Sequence, residues 1–192
     1  MEYIDTLVET LKKVEVTSQN DQAIMGYEEG FSRLLSLFTE AKKRRISIYI
    51  CGNGGSAGIA IHMTADLLKN GGLKTYSLYN AAVLTCLGND LDYNHTFCKQ
   101  LELIANKGDI LIAISSSGKS QNIINAIETM RKFSGQVITF TGFETGNPIR
   151  QLGDYNVYVP ISHYGIVESI HNIILQHLVD EIVQRDGVAL QI

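Results

Sequence analysis

Apolar residues recur along this chain with two different periods, and the switches between them mark out its elements. Over residues 3–14, Ile4, Leu7, Val8 and Leu11 fall at helical spacing. A polar break at 17–21 follows. Ile24, Tyr27, Phe31, Leu34, Leu35, Phe38 and Ala41 then predict a long amphipathic helix over 22–44. The run at 46–50, Ile-Ser-Ile-Tyr-Ile, has strand character, as do 74–78, 109–114, 136–141 and 155–159. Helical patterns lie between these strands at 57–68, 81–87 and 94–105. Another begins at the turn at 115–120 and runs through Ile123, Ile124, Ile127 and Met130, and a last one covers 164–185. Apolar strands alternating with helices describe an α/β fold, a five-stranded parallel sheet covered on both faces. Two extra N-terminal helices precede the first strand. A small sheet does not need them, so residues 1–44 are assigned to subunit contacts, the alternative being that both pack on their own domain's sheet.

Length and composition change this picture little. A chain of 192 residues without an internal boundary or low-complexity segment reads as a single domain, 1–192. An apolar share of 45% and a charged share of 19% are those of a globular protein. A net charge of −4 argues against a nucleic-acid surface. The one basic cluster, Lys42 to Arg45, suits a solvated helix C-terminus. Three cysteines, Cys51, Cys86 and Cys98, lack metal spacing and read as free thiols. With no signal-peptide pattern and no membrane-length apolar run, a cytoplasmic location without membrane association is expected.

Two turns carry the candidate chemistry. Cys51-Gly52-Asn53-Gly54-Gly55-Ser56 stands between the first predicted strand and a helix, with Ser56 placed to cap that helix. Ser115-Ser116-Ser117-Gly118-Lys119-Ser120 stands at an equivalent junction. Hydroxyls and free N–H groups at a helix start donate to phosphate oxygens without a fixed positive charge. Ligands of open α/β sheets bind beyond the carboxyl ends of the strands, where both turns lie. Neither turn matches the P-loop or the dinucleotide fingerprint. Two matching turns therefore point to a phosphate-bearing ligand, a sugar phosphate or a nucleotide. Lys119 reads as a solvated helix-start lysine.

Two helices add ionisable groups. His62 and Asp66 are four residues apart and share a face, as a metal pair, a proton pair or an ordinary hydrogen bond. Glu168, Asn172 and Gln176 form a polar stripe on the last helix, with His171 and His177 off it. His95 and His163 read as ordinary polar residues.

The motifs Cys-Gly-Asn-Gly-Gly-Ser-Ala at 51–57, Gly-Asn-Asp at 88–90, Ile-Ser-Ser-Ser-Gly-Lys-Ser at 114–120 and Ile-Thr-Phe-Thr-Gly at 138–142 resemble the SIS (sugar isomerase) domain family. Within it the chain is most similar to phosphoheptose isomerases, which interconvert sedoheptulose 7-phosphate and a heptose 7-phosphate. The resemblance implies a doubly wound, flavodoxin-like sheet and a homotetramer with active sites between subunits. It implies that Ser115, Ser116, Ser117 and Ser120 bind phosphate, that Asn53, Gly54 and Ser56 contact the sugar, and that Asp90 lines the pocket. It places His62 at the histidine of the family's His-x-x-x-Glu pattern.

Three positions depart from that pattern. The family glutamate, a base and metal ligand, falls on Asp66. A glutamine and a histidine on the last helix fall on Glu168 and Gln176. His177, one residue further on, is turned away by about 100° on a helix. The expected catalytic set is thus Asp66, Glu168 and His62, with Gln176 beside the substrate. His62, Asp66, Glu168 and Gln176 also offer nitrogen and oxygen ligands for one divalent metal, such as zinc, per active site. No nucleotide cofactor is expected. Three functions follow: aldose–ketose isomerisation through an enediol, sugar-phosphate binding without catalysis, or an adaptor role like that of a family relative that binds the replication initiator.

Overall fold

The computed structural model describes residues 1–19 and 23–190. Asn20 and Asp21 of the predicted polar break, and Gln22 at the start of the predicted second helix, lie outside the described residues. Helix α1 spans Glu2–Leu11, strands β1 and β2 span Glu15–Ser18 and Ala23–Gly26, and α2 spans Tyr27–Arg44. Then follow β3 (Ser47–Gly52), α3 (Gly55–Lys69), β4 (Lys74–Ser77), α4 (Ala81–Asp90) and α5 (Cys98–Ile104). The chain closes with β5 (Ile110–Ile114), α6 (Gln121–Lys132), β6 (Gln136–Gly142), β7 (Tyr155–Val159) and α7 (Tyr164–Asp186). Short 3-10 turns occur at Tyr93–His95 and Pro148–Gln151. None of the described helices is long and apolar enough to cross a membrane.

The sheet is mixed and seven-stranded, in the order β2-β1-β7-β6-β5-β3-β4. The expected five-stranded parallel sheet is therefore too small. Strands β4, β3, β5, β6 and β7 are parallel neighbours, and β1 pairs antiparallel with both β7 and β2. The hairpin stands where a polar break and the start of a helix are expected. Val14, Val16 and Ser18 are buried and alternate with Glu15 and Thr17, a period-two pattern too short to stand out beside the long helix after it. Pairing with β1 satisfies the backbone of β7, which would otherwise be an open edge.

Within the parallel strands the order is that of a doubly wound sheet, with its switch point between β3 and β5. The central strands β3, β5 and β6 are buried on both faces, whereas the edge strand β4 is mostly exposed. Ile48, Ile50, Ile110, Ile112 and Phe140 face one core with α2, α3 and α7. Tyr49, Cys51, Leu111, Ala113 and Val137 face the other with α5 and α6. Each fully buried side chain of this size contributes about 1.5–3 kcal/mol.

Helix α2 is not surplus. It buries Phe31, Leu34, Phe38 and Ala41 in its own domain's core and crosses β1 closely at Gly30. Helix α1 turns Leu7 and Leu11 to that core but leaves Tyr3, Ile4 and Val8 exposed. Helix α4 buries no residue at all.

Candidate active site at the switch point

Strands β3 and β5 end side by side, and the two turns that follow them enclose a cavity of about 330 Å³. The glycine turn forms one wall. Gly54 has φ 56° and ψ −121°, a conformation that L side chains rarely adopt. It is also the cap residue of α3. Ser56 is therefore not the cap that its position suggests; it lies inside the first turn, buried, and lines the cavity. The Tyr79 hydroxyl straps Gly52, accepting from its N–H at 2.6 Å and donating to its carbonyl at 2.5 Å.

The serine turn forms the second wall. Ser115, Ser116, Ser117 and Ser120 all line the cavity. The Ser115 hydroxyl lies 3.4 Å from that of Ser120, whose own side chain makes no capping bond to α6. Ser116 Oγ is buried and has no partner among the described residues. An orphaned buried hydroxyl is costly, and a ligand oxygen would satisfy it. Gly118, at φ 65°, holds the turn against Asn147, whose Oδ1 lies 2.1 Å from where a Cβ would stand. Lys119 pairs on the surface with Glu144 at 2.9 Å and is not a cavity residue.

Helix α7 supplies the third wall with Tyr164 and Glu168. Glu168 brings its carboxylate onto Gly55 at the start of α3, filling the space a side chain there would take: a Cβ on Gly55 would stand 2.2 Å from Oε2. Among the described residues, Glu168 is the only carboxylate in the cavity lining. It lies one turn into α7, against the amino end of α3.

Other residues expected at the site lie elsewhere. His62 and Asp66 form a pair 3.6 Å apart on α3, with the histidine side chain 56% exposed. By the helical rise, His62 sits about 10 Å and Asp66 about 16 Å further along that helix than Gly55. Gln176 is eight residues beyond Glu168 on α7 and donates to Asp180 at 3.3 Å. Asp90 ends α4 at the surface and does not line the cavity. Hydrogen bonds from Asn89 and Cys86 hold its carboxyl below the usual range. Among the described residues no three His, Cys, Asp or Glu side chains gather as metal ligands. The set His62, Asp66, Glu168 and Gln176 thus does not assemble a metal site within one chain, and no chemical step is assigned to a metal.

Several contributors were not anticipated. Asn122, buried at the start of α6, exchanges two amide hydrogen bonds of 2.9 Å with Asn53 and so ties the turns together. Tyr93 donates to Asn53 Oδ1 at 2.9 Å. Asn53 lines the cavity with an amide already largely engaged. His171 is fully buried beneath the end of β6, its Nε2 3.1 Å from the Thr141 carbonyl and its Nδ1 without a partner. A carbonyl only accepts, so Nε2 carries the proton. Burial pushes this imidazole down to about 4, against the Thr141 bond. His163 caps α7 by accepting from the Ile166 N–H at 3.3 Å. The only sequence signal for Asn122 is a polar residue on an apolar helix face.

Comparison with known proteins agrees with this geometry. The family model described as the SIS domain matches residues 2–142. A phosphoheptose isomerase from Aliarcobacter butzleri is 34% identical over 184 residues, covering 93% of this chain and 92% of that protein. One from Nitratiruptor is 36% identical over 151 residues, 74% of this chain and 80% of that protein. The solved structure of phosphoheptose isomerase GmhA from Neisseria gonorrhoeae superposes with a TM-score of 0.75 at 29% identity, over 81% of this chain and 86% of that one. The chain belongs to the SIS domain family, where its relatives include proteins named phosphoheptose isomerase.

Proposed function

We propose that this protein is a phosphosugar isomerase that interconverts sedoheptulose 7-phosphate and a heptose 7-phosphate. The observation that carries the reading is one cavity holding a serine cradle at one wall and a single carboxylate, Glu168, at another. The phosphate sits against Ser115, Ser116, Ser117 and Ser120, where hydroxyls and the start of α6 donate to its oxygens. Glu168 then acts as the base. It takes the proton from the carbon next to the carbonyl, the electron pair forms the enediol, and the proton returns to the neighbouring carbon. Nothing is oxidised or reduced overall. Relatives named phosphoheptose isomerase, matched over most of the chain, support this substrate class.

The acid that serves the sugar oxygens comes from His62, paired with Asp66, of a neighbouring subunit in a homotetramer. The pair's distance from its own cavity supports this. So do the exposed apolar residues beside it, Ile61 and Leu68, and those on α1, Tyr3, Ile4 and Val8. Proton-exchange NMR with sedoheptulose 7-phosphate tests the reaction. Incorporation of solvent deuterium next to the carbonyl supports isomerisation; thermal stabilisation by the sugar without exchange assigns a binding protein instead. Mixing Glu168→Gln with His62→Ala subunits tests the shared site: activity regained in hybrid oligomers supports it, and two inert variants that stay inert when mixed refute it.

A further inference from the structure

Tyr164 lines the same cavity but has no part in the chemistry above. It is 61% exposed, and its hydroxyl has no hydrogen-bond partner among the described residues. It precedes Glu168 by four residues on α7, so the two side chains rise from one helix face. An exposed tyrosine at a helix start would ordinarily swing freely. This one is held edge-to-face by Phe143, with ring centroids 4.7 Å apart and an interplanar angle of 76°.

Phe143 is itself unusual. Its φ is 61°, in the left-handed region, where a bulky side chain is a genuine outlier and glycine is the easy choice. Both its backbone groups are pinned. Its N–H donates to the Ile161 carbonyl at 3.1 Å, and its carbonyl accepts from the Tyr158 hydroxyl at 2.8 Å. Tyr158 in turn lies under the Arg150 guanidinium, 4.0 Å from its ring. On the other side, the start of α7 is fixed by the His163 cap and by Tyr3, whose ring packs on His163. A strained residue held by so many contacts marks a position where its side chain is needed.

We infer that Tyr164, backed by Phe143, is a platform on which the carbon chain of the sugar lies, and that it selects long-chain sugar phosphates over short ones. The inference rests on the phosphosugar reading of the cavity. The serines grip the phosphate end, the polar glycine turn faces the hydroxyls, and the ring covers the C–H face of the distal carbons. A three-carbon phosphate bound at the serines leaves the ring uncovered. A six- or seven-carbon one reaches it.

The test is calorimetric titration of wild type, Tyr164→Ala, Tyr164→Phe and Phe143→Gly with inorganic phosphate, dihydroxyacetone phosphate, fructose 6-phosphate and sedoheptulose 7-phosphate. Tyr164→Ala is expected to weaken the long sugar phosphates about tenfold, the scale of one aromatic contact, and to leave inorganic and three-carbon phosphate unchanged. Tyr164→Phe keeps the wild-type pattern, because the ring and not the hydroxyl carries the contact. Phe143→Gly shifts affinities as Tyr164→Ala does, although glycine suits that backbone better. Tyr164→Ala affinities equal to those of wild type for every ligand overturn the platform, as does a uniform loss that includes inorganic phosphate. So does a change in oligomeric state on ultracentrifugation with unaltered sugar affinity, which would make Tyr164 an interface residue. Failure of sedoheptulose 7-phosphate alone to bind wild type sinks that substrate assignment and leaves the platform to be judged on fructose 6-phosphate. If no sugar phosphate binds wild type more tightly than inorganic phosphate, both fall.

Discussion

The side-chain amides of Asn53 and Asn122 face each other and exchange two hydrogen bonds of 2.9 Å, one in each direction. One residue belongs to the glycine turn and the other to the first turn of α6, so this pair ties together the two turns that line the cavity. Asn122→Ala is expected to cost about 1–3 kcal/mol, because it leaves part of the Asn53 amide unpaired. Urea unfolding of the single variants and of the double Asn53→Ala/Asn122→Ala protein measures this. The double variant is expected to be less destabilised than the sum of the two; strict additivity would mean the pair is not coupled.

Glu168 and Gly55 are packed so closely that the proposed role of the carboxylate can be tested through the glycine. Gly55→Ala puts a methyl group 2.2 Å from Oε2, too close for the carboxylate to stay where it is. The carboxylate can swing aside, so the fold is expected to survive. If Glu168 is the base as proposed, a displacement of about 1 Å lowers turnover roughly a hundredfold while inorganic phosphate binds as before. Steady-state kinetics with phosphate titration separate the two effects.

The serine cradle makes a simpler prediction. Ser115→Ala and Ser117→Ala each weaken phosphosugar binding by roughly 0.5–1.5 kcal/mol, and by more where the bond is to a charged oxygen. Calorimetric affinities unchanged in both variants would remove the anion cradle from the site.

His171 ties stability to pH. Its folded pKa, about 4, lies below the unfolded value of about 6.5. Between these values the unfolded chain binds a proton that the folded chain does not, so stability rises with pH. The contribution is complete above pH 6.5 and declines as pH falls toward 4. The expected loss is roughly 2 kcal/mol between pH 7.5 and pH 5. Urea unfolding at the two values measures it, and His171→Leu should flatten that part of the profile.

At Gly30, two opposing terms can be weighed. Alanine in a helix interior gains about 1 kcal/mol over glycine. A Cβ there would stand 2.2 Å from the Cβ of Val16, a backbone-anchored atom that cannot swing away. Overpacking of this kind costs about 1–3 kcal/mol, so Gly30→Ala is expected to lower the thermal midpoint.

What the sequence determined by itself was local. The apolar runs of the parallel strands, the glycines of the first turn and the serines of the second are contiguous, so their strand-to-helix junctions could be read without knowing what they pack against. The resemblance in those turns also named the family. The hairpin at β1 and β2 was hidden because four-residue strands carry little periodicity of their own and gain their stability from β7, near the other end of the chain. Spacing placed His62 with Asp66, and Glu168 with Gln176, on shared helix faces, but it could not say how far along each helix the cavity reaches. Tertiary structure decided that. Two helices that start at the same edge of the sheet present only their first turns to the cavity. Glu168 therefore meets Gly55, while His62 and Gln176 lie about two turns away and Asp66 about three. The contacts that unite the site, Asn53 with Asn122 and Tyr164 with Phe143, join residues far apart in sequence and exist only once the strands are in order.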